Sequence, residues 1–181
     1  MIEPVDLALV GFDPEALLGA LVDGAVDFVV IGGIAAILRG DIAGTEDTDT
    51  TVRRSQANFA ALAKVLRTLD AHLLVALNDR EVGTVNVPVT AETFASLTSA
   101  RFLTQHGILD VVLRPDGVPE FEQWAARATP VTLSNGVEVQ VASLDDVIAS
   151  KTAANRPKDQ YALARLHALR DAQARGDALP E

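Results

Sequence analysis

Hydrophobic and polar residues along the first 70 positions predict helices and strands in alternation. Asp13 precedes a proline and leucines at helical spacing, which predicts a helix that Asp13 caps. Residues 28–31 are continuously apolar and predict a buried strand, and residues 34–39 predict a short helix. The β-prone run Asp47–Val52 predicts a second strand, and Ser55 can cap a helix after it. These last four elements follow one another as β-α-β-α.

The rest of the chain predicts further strands and two closing helices. Extended segments are predicted at 72–77 and 81–89, helices at 91–100 and 120–128, a hairpin of 101–105 and 108–113 that turns at His106-Gly107, and strands at 131–133 and 137–141 around Asn135-Gly136. Ser143 caps a helix, and Pro157 starts another that runs to about Arg175. We expect a mixed sheet with flanking helices, of the α/β (α+β) class. Residues 1–142 should form the core, and residues 143–181 should form a helical segment packed on it within one structural domain.

Composition narrows the class of protein. With 181 residues, 49% of them hydrophobic and 22% charged, the chain suits one globular domain. Its longest apolar stretch, residues 28–38, is too short to cross a bilayer, and its acidic start is unlike a signal peptide. We therefore expect a cytoplasmic protein with no membrane partner. The chain has no cysteine and its three histidines lack ligand spacing, so any metal must be held by oxygen atoms.

The formal net charge of −10 argues against a general polyanion-binding surface. The charge is uneven, because residues 151–181 carry six of the 15 basic residues and four of the 25 acidic ones. That segment is the natural place for a phosphate-bearing partner. A solvated helix face is the alternative interpretation.

Two motifs near the first strands point to phosphate and metal chemistry. Gly32 and Gly33 stand between an apolar strand and a helix, where free backbone amides and the helix dipole favour a phosphate. Asp47 and Asp49 lie on one strand, so their side chains share a face with Cα atoms about 6.5 to 7 Å apart. Two carboxylates at that spacing can share a divalent cation. Taken alone, the glycines could form a simple turn, and the aspartates could lie on a solvated edge strand. The two motifs in this order are a more specific signal than either motif by itself.

A third carboxylate and a basic cluster complete the candidate site. Asp110 interrupts the apolar strand 108–113, where a charge is costly to bury unless it is paired or binds a metal. Three carboxylates around divalent ions are what two-metal phosphoryl transfer requires. Lys151 shares an apolar helix stripe, and Arg156 and Lys158 flank a helix start, where the macrodipole disfavours cations unless an anion is near. A partly solvated strand face and an ordinary surface cluster are the alternatives.

Five segments, taken in order, resemble the motifs of nucleotidyltransferase-fold proteins of the AbiEii toxin type. They are residues 30–36, 45–49, 107–110, 142–151 and 154–159. Proteins of this type share the fold of DNA polymerase β, so the resemblance implies the nucleotidyltransferase fold for this chain. It extends from about residue 13 to residue 169.

The resemblance also implies roles for individual residues. The implied ligands of Mg²⁺ or Mn²⁺ are Asp47, Asp49 and Asp110. Asp110 has an alternative implied role, that of the base that activates the acceptor hydroxyl. The implied nucleotide-binding residues are Gly32 and Gly33 around the triphosphate and Lys151, Arg156 and Lys158 at the phosphates, with Lys151 also counted as catalytic. Asp159 is implied to orient that basic cluster.

The implied function is metal-dependent transfer of a nucleoside monophosphate from an NTP to a hydroxyl acceptor. Toxins of this type suggest the tRNA 3′ end as acceptor and a cognate antitoxin as partner. A small-molecule acceptor such as an aminoglycoside is the alternative, which a charge of −10 suits better. Relatives often carry an arginine where this chain has Ala43, and aliphatic residues where it has Thr48 and Thr50. These departures support a further alternative, a non-catalytic member that binds nucleotide or protein.

Overall fold

One mixed β-sheet runs through the residues that the computed structural model describes, namely 2–78, 81–118 and 120–176. Its nine strands are β1 (Ile2–Val5), β2 (Phe28–Val30), β3 (Asp47–Val52), β4 (His72–Ala76), β5 (Val82–Val85), β6 (Ser99–Thr104), β7 (Gly107–Val112), β8 (Thr129–Thr132) and β9 (Glu138–Val141). The α-helices in these ranges are α1 (Pro14–Asp23), α2 (Gly32–Leu38), α3 (Gln56–Thr68), α4 (Ala91–Ala95), α5 (Phe121–Arg127), α6 (Leu144–Ala154) and α7 (Pro157–Arg175), and a 3-10 helix covers Leu7–Leu9. The predicted class, a mixed sheet with helices, is confirmed.

The order of strands places β3 beside β7 in the interior of the sheet. That order is β1-β5-β4-β6-β7-β3-β2-β9-β8. The pairs β3–β7 and β2–β9 are parallel and the remaining pairs are antiparallel. In the β3–β7 pair Asp49 lies opposite Asp110, and Asp47 lies opposite Ile108. Because side chains alternate along a strand, all three aspartates point to the same face of the sheet.

The apolar core fixes which face these aspartates occupy. Leu109 and Val111 of β7 are fully buried, so Asp110 between them must point the other way. One face of α3 is buried in this core, namely Phe59, Leu62, Val65 and Leu66, with Leu69 at the end of the helix. Burying a side chain of this size contributes about 1.5 to 3 kcal/mol. A slip of one residue in β7 would turn Asp110 into the core and turn Leu109 and Val111 out of it. The buried side chains therefore fix the register of this strand.

Two predicted elements are wrong in length, and one strand was missed. The helix predicted for 91–100 ends at Ala95, because Ser99 begins a strand that pairs with β7. The extended segment predicted for 81–89 forms a strand only over Val82–Val85. Strand β1 was not predicted, since its residues are mostly exposed and show no apolar alternation. It forms by pairing with β5 at the edge of the sheet, a contact between distant segments that no local pattern encodes.

The β6–β7 hairpin turns one residue earlier than predicted. Thr104 pairs with Gly107, so the loop consists of Gln105 and His106 rather than His106 and Gly107. Gly107 has a φ of 114°, which a residue with a side chain rarely adopts. This turn sets which residue of β6 lies opposite Asp110.

The two C-terminal helices begin and end where local chemistry predicts. The Ser143 side chain accepts a hydrogen bond from the backbone N–H of Asp146 at 3.2 Å and caps α6. That helix ends at Asn155, which has a left-handed φ of 47°, and Pro157 opens α7. No helix in the described ranges is both long and apolar enough to span a membrane. Residues 177–181 lie outside those ranges, and a boundary at residue 142 stays a prediction.

Candidate active site

Three carboxylates meet where β3 and β7 lie side by side. One oxygen atom from each of Asp47, Asp49 and Asp110 lies within 4.8 Å of the other two. The parallel pairing of the strands brings them together, because it sets Asp49 directly opposite Asp110. Oxygen atoms this close can share a divalent cation. The structure therefore joins the three carboxylates that the sequence analysis singled out.

Burial and mutual repulsion make the ionised form of this triad costly. Burial, together with the charges of Asp47 and Asp110, raises the pKa of Asp49 to about 6. Burial also raises the pKa of Asp110. Oδ1 of Asp110 is buried and has no aligned hydrogen bond to any described residue. A buried carboxylate oxygen without an aligned hydrogen-bond donor is the kind of group that a bound cation stabilises.

Arg101 belongs to this site, although the sequence analysis missed it. Its Nη2 atom lies 2.7 Å from Oδ2 of Asp47, and its Nε atom lies 2.9 Å from Oδ1 of Asp110. The second contact is an ion pair that is not aligned as a hydrogen bond. In the β6–β7 register Arg101 lies opposite Asp110. A turn at His106-Gly107 would instead place Leu103 there, so the predicted register concealed the pair.

Gly32 and Gly33 lie against the carboxylates. Gly32 has a φ of 63°, and a Cβ atom at this position would lie 2.0 Å from Oδ2 of Asp49. The N–H of Gly33 donates to the same oxygen at 3.4 Å. A Cβ atom at Gly33 would lie 2.6 Å from Oγ1 of Thr45, which in turn donates to Oδ1 of Asp47 at 2.9 Å. The two glycines thus leave room for the aspartates, and their contact with a triphosphate stays a prediction.

The predicted basic cluster is held together by Asp159. Nζ of Lys151 lies 3.4 Å from Oδ1 of Asp159, and Nε of Arg156 lies 2.6 Å from Oδ2. Burial alone would raise the pKa of Asp159, but the hydrogen bond from Arg156 and the charges of Arg156 and Lys151 outweigh it and lower that pKa. Asp159 is therefore a buried anion that fixes two cations. Lys158 has no ion pair to a described residue, and its charge acts on Asp110.

The carboxylates and the basic cluster line one cleft of about 830 Å³. Tyr161 of α7 lines this cleft and is 84% exposed. Glu46 and Asp116 also line the cleft, and neither has an ion pair to a described residue. The cleft thus offers cations on one side and unpaired carboxylates at its rim.

The threonines of β3 are part of the core. Thr48, Thr50 and Thr51 are fully buried. Oγ1 of Thr50 lies 3.5 Å from the backbone oxygen of Asp110, whereas the hydroxyls of Thr48 and Thr51 have no partner among the described residues. An unpaired buried hydroxyl costs about 1 to 3 kcal/mol. Their β-branched shape fills the space that an aliphatic residue would occupy, at a cost in stability.

The fold and the paired carboxylate strands define a nucleotidyltransferase. The chain belongs to the family described as nucleotidyltransferase of unknown function (DUF6036), which matches residues 9–168. It is therefore an enzyme of nucleotidyl transfer, as predicted. The match is to this family, and it does not extend to the AbiEii toxin type.

Solved structures with the same fold include two antibiotic adenylyltransferases. The lincosamide adenylyltransferase LnuA, with lincomycin bound, is 11% identical with a TM-score of 0.56, over 85% of this chain and 94% of that one. ANT(2″)-Ia, in complex with adenylyl-2″-tobramycin, is 16% identical with a TM-score of 0.52, over 88% of this chain and 94% of that one. At these identities the likeness shows the fold alone.

A sequence relative is a DNA ligase of Methylococcus capsulatus, which is 36% identical over 100 residues. The match covers 55% of this chain but only 15% of the ligase. The chain therefore spans a small part of that protein.

Proposed function

We propose that this chain transfers a nucleoside monophosphate from an NTP to a hydroxyl group held in the cleft. The observation that carries the proposal is the triad of Asp47, Asp49 and Asp110, whose oxygen atoms lie within 4.8 Å of one another. Lys151 and Arg156 line the same cleft. Carboxylates for a metal and cations for phosphates are the two requirements of the reaction.

The donor set fits Mg²⁺ or Mn²⁺. All the donors are carboxylate oxygen atoms, which hard divalent cations prefer, and Oδ1 of Asp110 is buried without an aligned donor. We propose Asp47, Asp49 and Asp110 as the ligands. When bound, the cation would lower the charge on the phosphates and on the attacking oxygen.

The protein's own side chains position the nucleotide. Lys151, Arg156 and Lys158 are proposed to bind the phosphate oxygens, and Asp159 holds the first two at fixed positions. The backbone at Gly32 and Gly33 carries no side chain that would block the triphosphate.

Asp110 is proposed to take part as the third ligand or as the base that accepts the proton of the acceptor hydroxyl. Its raised pKa suits proton transfer better than that of an ordinary aspartate does.

The first candidate acceptor is the 3′ hydroxyl of tRNA. This candidate rests on the resemblance of five segments to AbiEii-type toxins. The proposal then includes a toxin role, a cognate antitoxin as partner and a cytoplasmic location. The basic side chains at the cleft, Lys151, Arg156 and Lys158, would meet an anionic acceptor as well as the NTP.

A cationic small molecule is the second candidate acceptor. The observation that favours it is the pair of exposed carboxylates at the cleft, Glu46 and Asp116, which have no ion pair to a described residue. The net charge of −10 would also attract a cation and repel RNA. The fold accommodates such acceptors, since ANT(2″)-Ia is solved with adenylyl-2″-tobramycin.

The test is label transfer from each α-labelled NTP in Mg²⁺, with total tRNA in one arm and a panel of aminoglycosides in the other. We expect transfer of label in one of the two arms. In Asp49→Asn the rate should fall by about 100-fold or more, because a lost metal ligand removes several kcal/mol of transition-state stabilisation. Asp23→Asn on the exposed surface of α1 is the matched control and should transfer at the wild-type rate. The absence of transfer to every acceptor, or undiminished transfer by Asp49→Asn, would contradict the proposal.

A further inference from the structure

Arg101 occupies the triad in a way that bears on metal binding. Its guanidinium spans two strands, contacting Asp47 of β3 at 2.7 Å and Asp110 of β7 at 2.9 Å. Its side chain is 43% exposed, whereas those of Asp47 and Asp110 are 19% and 22% exposed. The guanidinium of Arg101 therefore borders solvent, whereas the carboxylates of Asp47 and Asp110 are mostly covered and lie on strands of the sheet.

The guanidinium and a divalent cation are attracted to the same two carboxylates. Arg101 contacts one oxygen atom of each of these two carboxylates, and a carboxylate offers about four lone-pair sites in all. Mg²⁺ requires short bonds of about 2.0 to 2.1 Å to its oxygen ligands. Two cations at the same two carboxylates repel each other, so Arg101 and a bound divalent cation compete through their charges.

Arg101 also neutralises only part of the triad. It contacts two of the three carboxylates, while among the described residues the Asp49 carboxylate accepts only the long 3.4 Å bond from the N–H of Gly33. Lys151 acts on Asp49 and Lys158 acts on Asp110 through their charges, without an ion pair to either. A divalent cation bound directly to the carboxylates would offer the site more compensation than Arg101 does.

We propose that Arg101 is a built-in counter-ion of the metal site. In the metal-free protein it holds Asp47 and Asp110 at cation-binding distance, and it leaves both carboxylates when a divalent cation binds. The inference rests on the proposed function, because it takes the triad to be the cation site. Arg101 acts through the two carboxylates and is a positioning residue.

The chain contains a matched control for this residue. Arg53 also bridges two carboxylates, with Nε 2.5 Å from Asp27 and Nη1 2.7 Å from Glu122, and its side chain is 41% exposed. Neither acid belongs to the triad. Arg53→Met therefore removes an arginine of similar exposure that bridges two carboxylates, at a place where those carboxylates are more exposed.

The test measures the dissociation constant for Mn²⁺ alone, by electron paramagnetic resonance of free Mn²⁺, with the metal-free full chain at pH 7.5. In Arg101→Met the dissociation constant should fall about tenfold or more, because a competing positive charge is removed from the ligands. Without metal this variant should melt below wild type, and Mn²⁺ should raise its melting temperature by more than it raises that of wild type. Arg101→Lys keeps the charge, and its dissociation constant for Mn²⁺ should lie between those of Arg101→Met and wild type. Arg53→Met should melt lower but bind Mn²⁺ as wild type does.

Asp49→Asn separates failure of this inference from failure of the proposed function. If Asp49→Asn weakens Mn²⁺ binding while Arg101→Met, folded by circular dichroism, binds it no more tightly than wild type, the role of Arg101 is wrong and the metal site stands. If Asp49→Asn binds Mn²⁺ as tightly as wild type, the cation does not bind at the triad, and both proposals are wrong. An Arg101→Met variant that does not fold leaves the decision to Arg101→Lys, whose unchanged dissociation constant would also overturn the inference.

Discussion

Gly32 and Asp49 depend on each other at the scale of single residues. The carboxylate of Asp49 occupies the space that a side chain at position 32 would need, and Gly32 adopts a left-handed φ of 63°. The strand places Asp49 correctly only if position 32 carries no Cβ atom. The sequence showed these two motifs but not their contact, because the glycines and the aspartate are joined by tertiary packing and not by spacing along the chain.

We expect Gly32→Ala to impair cation binding as well as stability. The left-handed backbone costs about 1 to 2 kcal/mol for alanine, and the contact of 2.0 Å forces the Asp49 carboxylate to move. Gly136→Ala is the control, since Gly136 has a φ of 84° but a Cβ atom added there would have nothing within 4 Å. Urea unfolding should show a loss in both variants, and Mn²⁺ titration should show weaker binding only in Gly32→Ala. Equal Mn²⁺ affinity in the two variants would refute the steric coupling.

The raised pKa of Asp49 predicts a pH dependence of the metal-free protein. Its pKa is about 6 in the folded chain against an ordinary value of 3.8, so between these values the folded state binds a proton that the unfolded state has released. Stability is therefore lost as pH rises through that window. Asp49→Asn cannot ionise, and its free energy of unfolding should exceed that of wild type by about 2 kcal/mol more at pH 7 than at pH 4.

Chemical denaturation in EDTA at the two pH values measures this difference, with Asp23→Asn as the control substitution. A constant difference between Asp49→Asn and wild type at both values would show that the folded protein holds Asp49 ionised without penalty.

At the scale of elements, an ion pair ties α7 to the loop after α2. Both nitrogen atoms of the Arg165 fork contact Asp41, with Nη2 3.0 Å from Oδ2. The Asp41 side chain is 4% exposed, and that of Arg165 is 38% exposed. Burial acts to raise the pKa of Asp41, but the hydrogen bond and charge of Arg165 outweigh it and lower that pKa. This pair therefore holds one wall of the cleft.

Arg165→Met should lower the free energy of unfolding by about 2 kcal/mol, because it leaves a buried carboxylate unpaired. Replacing Asp41 by leucine in the same variant should restore part of the loss. Arg170→Met, on the same helix with exposed acidic partners, should cost less than about 1 kcal/mol. Urea unfolding at pH 7 measures all three variants, and a double variant less stable than Arg165→Met would contradict the account of the pair.

Elements with a local signal were predicted correctly, whereas strand β1 and the register of the β6–β7 hairpin, which are set by pairing, were not. Ser143 and Pro157 mark helix starts through their own bonds and ring geometry, and both helices are confirmed. Arg101 was missed because its partner depends on which two residues form the hairpin loop. A one-residue change in the turn moves the residue opposite Asp110 from Leu103 to Arg101. Asp47 and Asp49 were found because alternation along one strand sets their common face, and Asp110 was found because it interrupts an apolar strand. Their meeting depends on the pairing of β3 with β7.

At the scale of the whole molecule, the negative charge bears on the choice of acceptor. The chain carries a net charge of −10, yet the cleft holds a basic cluster for phosphates. The family match shows the class of reaction but not the acceptor. The exposed carboxylates at the cleft rim are the groups that an acceptor would meet.

The double variant Glu46→Gln, Asp116→Asn should distinguish the two acceptors. With a cationic acceptor its KM should rise about three- to tenfold at unchanged kcat, because rim charges act mainly on encounter. With tRNA its KM should fall, because two repulsive charges are removed. Steady-state kinetics at low ionic strength measure KM for both acceptors. The control is the double variant Asp23→Asn, Asp70→Asn, which removes the same number of negative charges elsewhere on the surface. An unchanged KM for both acceptors would exclude a role for the rim.

The most direct measurement of the proposed metal site is anomalous scattering from Mn²⁺ in crystals of the full chain grown with a non-hydrolysable NTP. We expect a peak within about 2.5 Å of carboxylate oxygen atoms of Asp47 and Asp49, with Asp110 beside it and the guanidinium of Arg101 withdrawn. A triad still bridged by Arg101, with Mn²⁺ bound to the nucleotide elsewhere, would contradict the assignment of these three aspartates as the catalytic metal site.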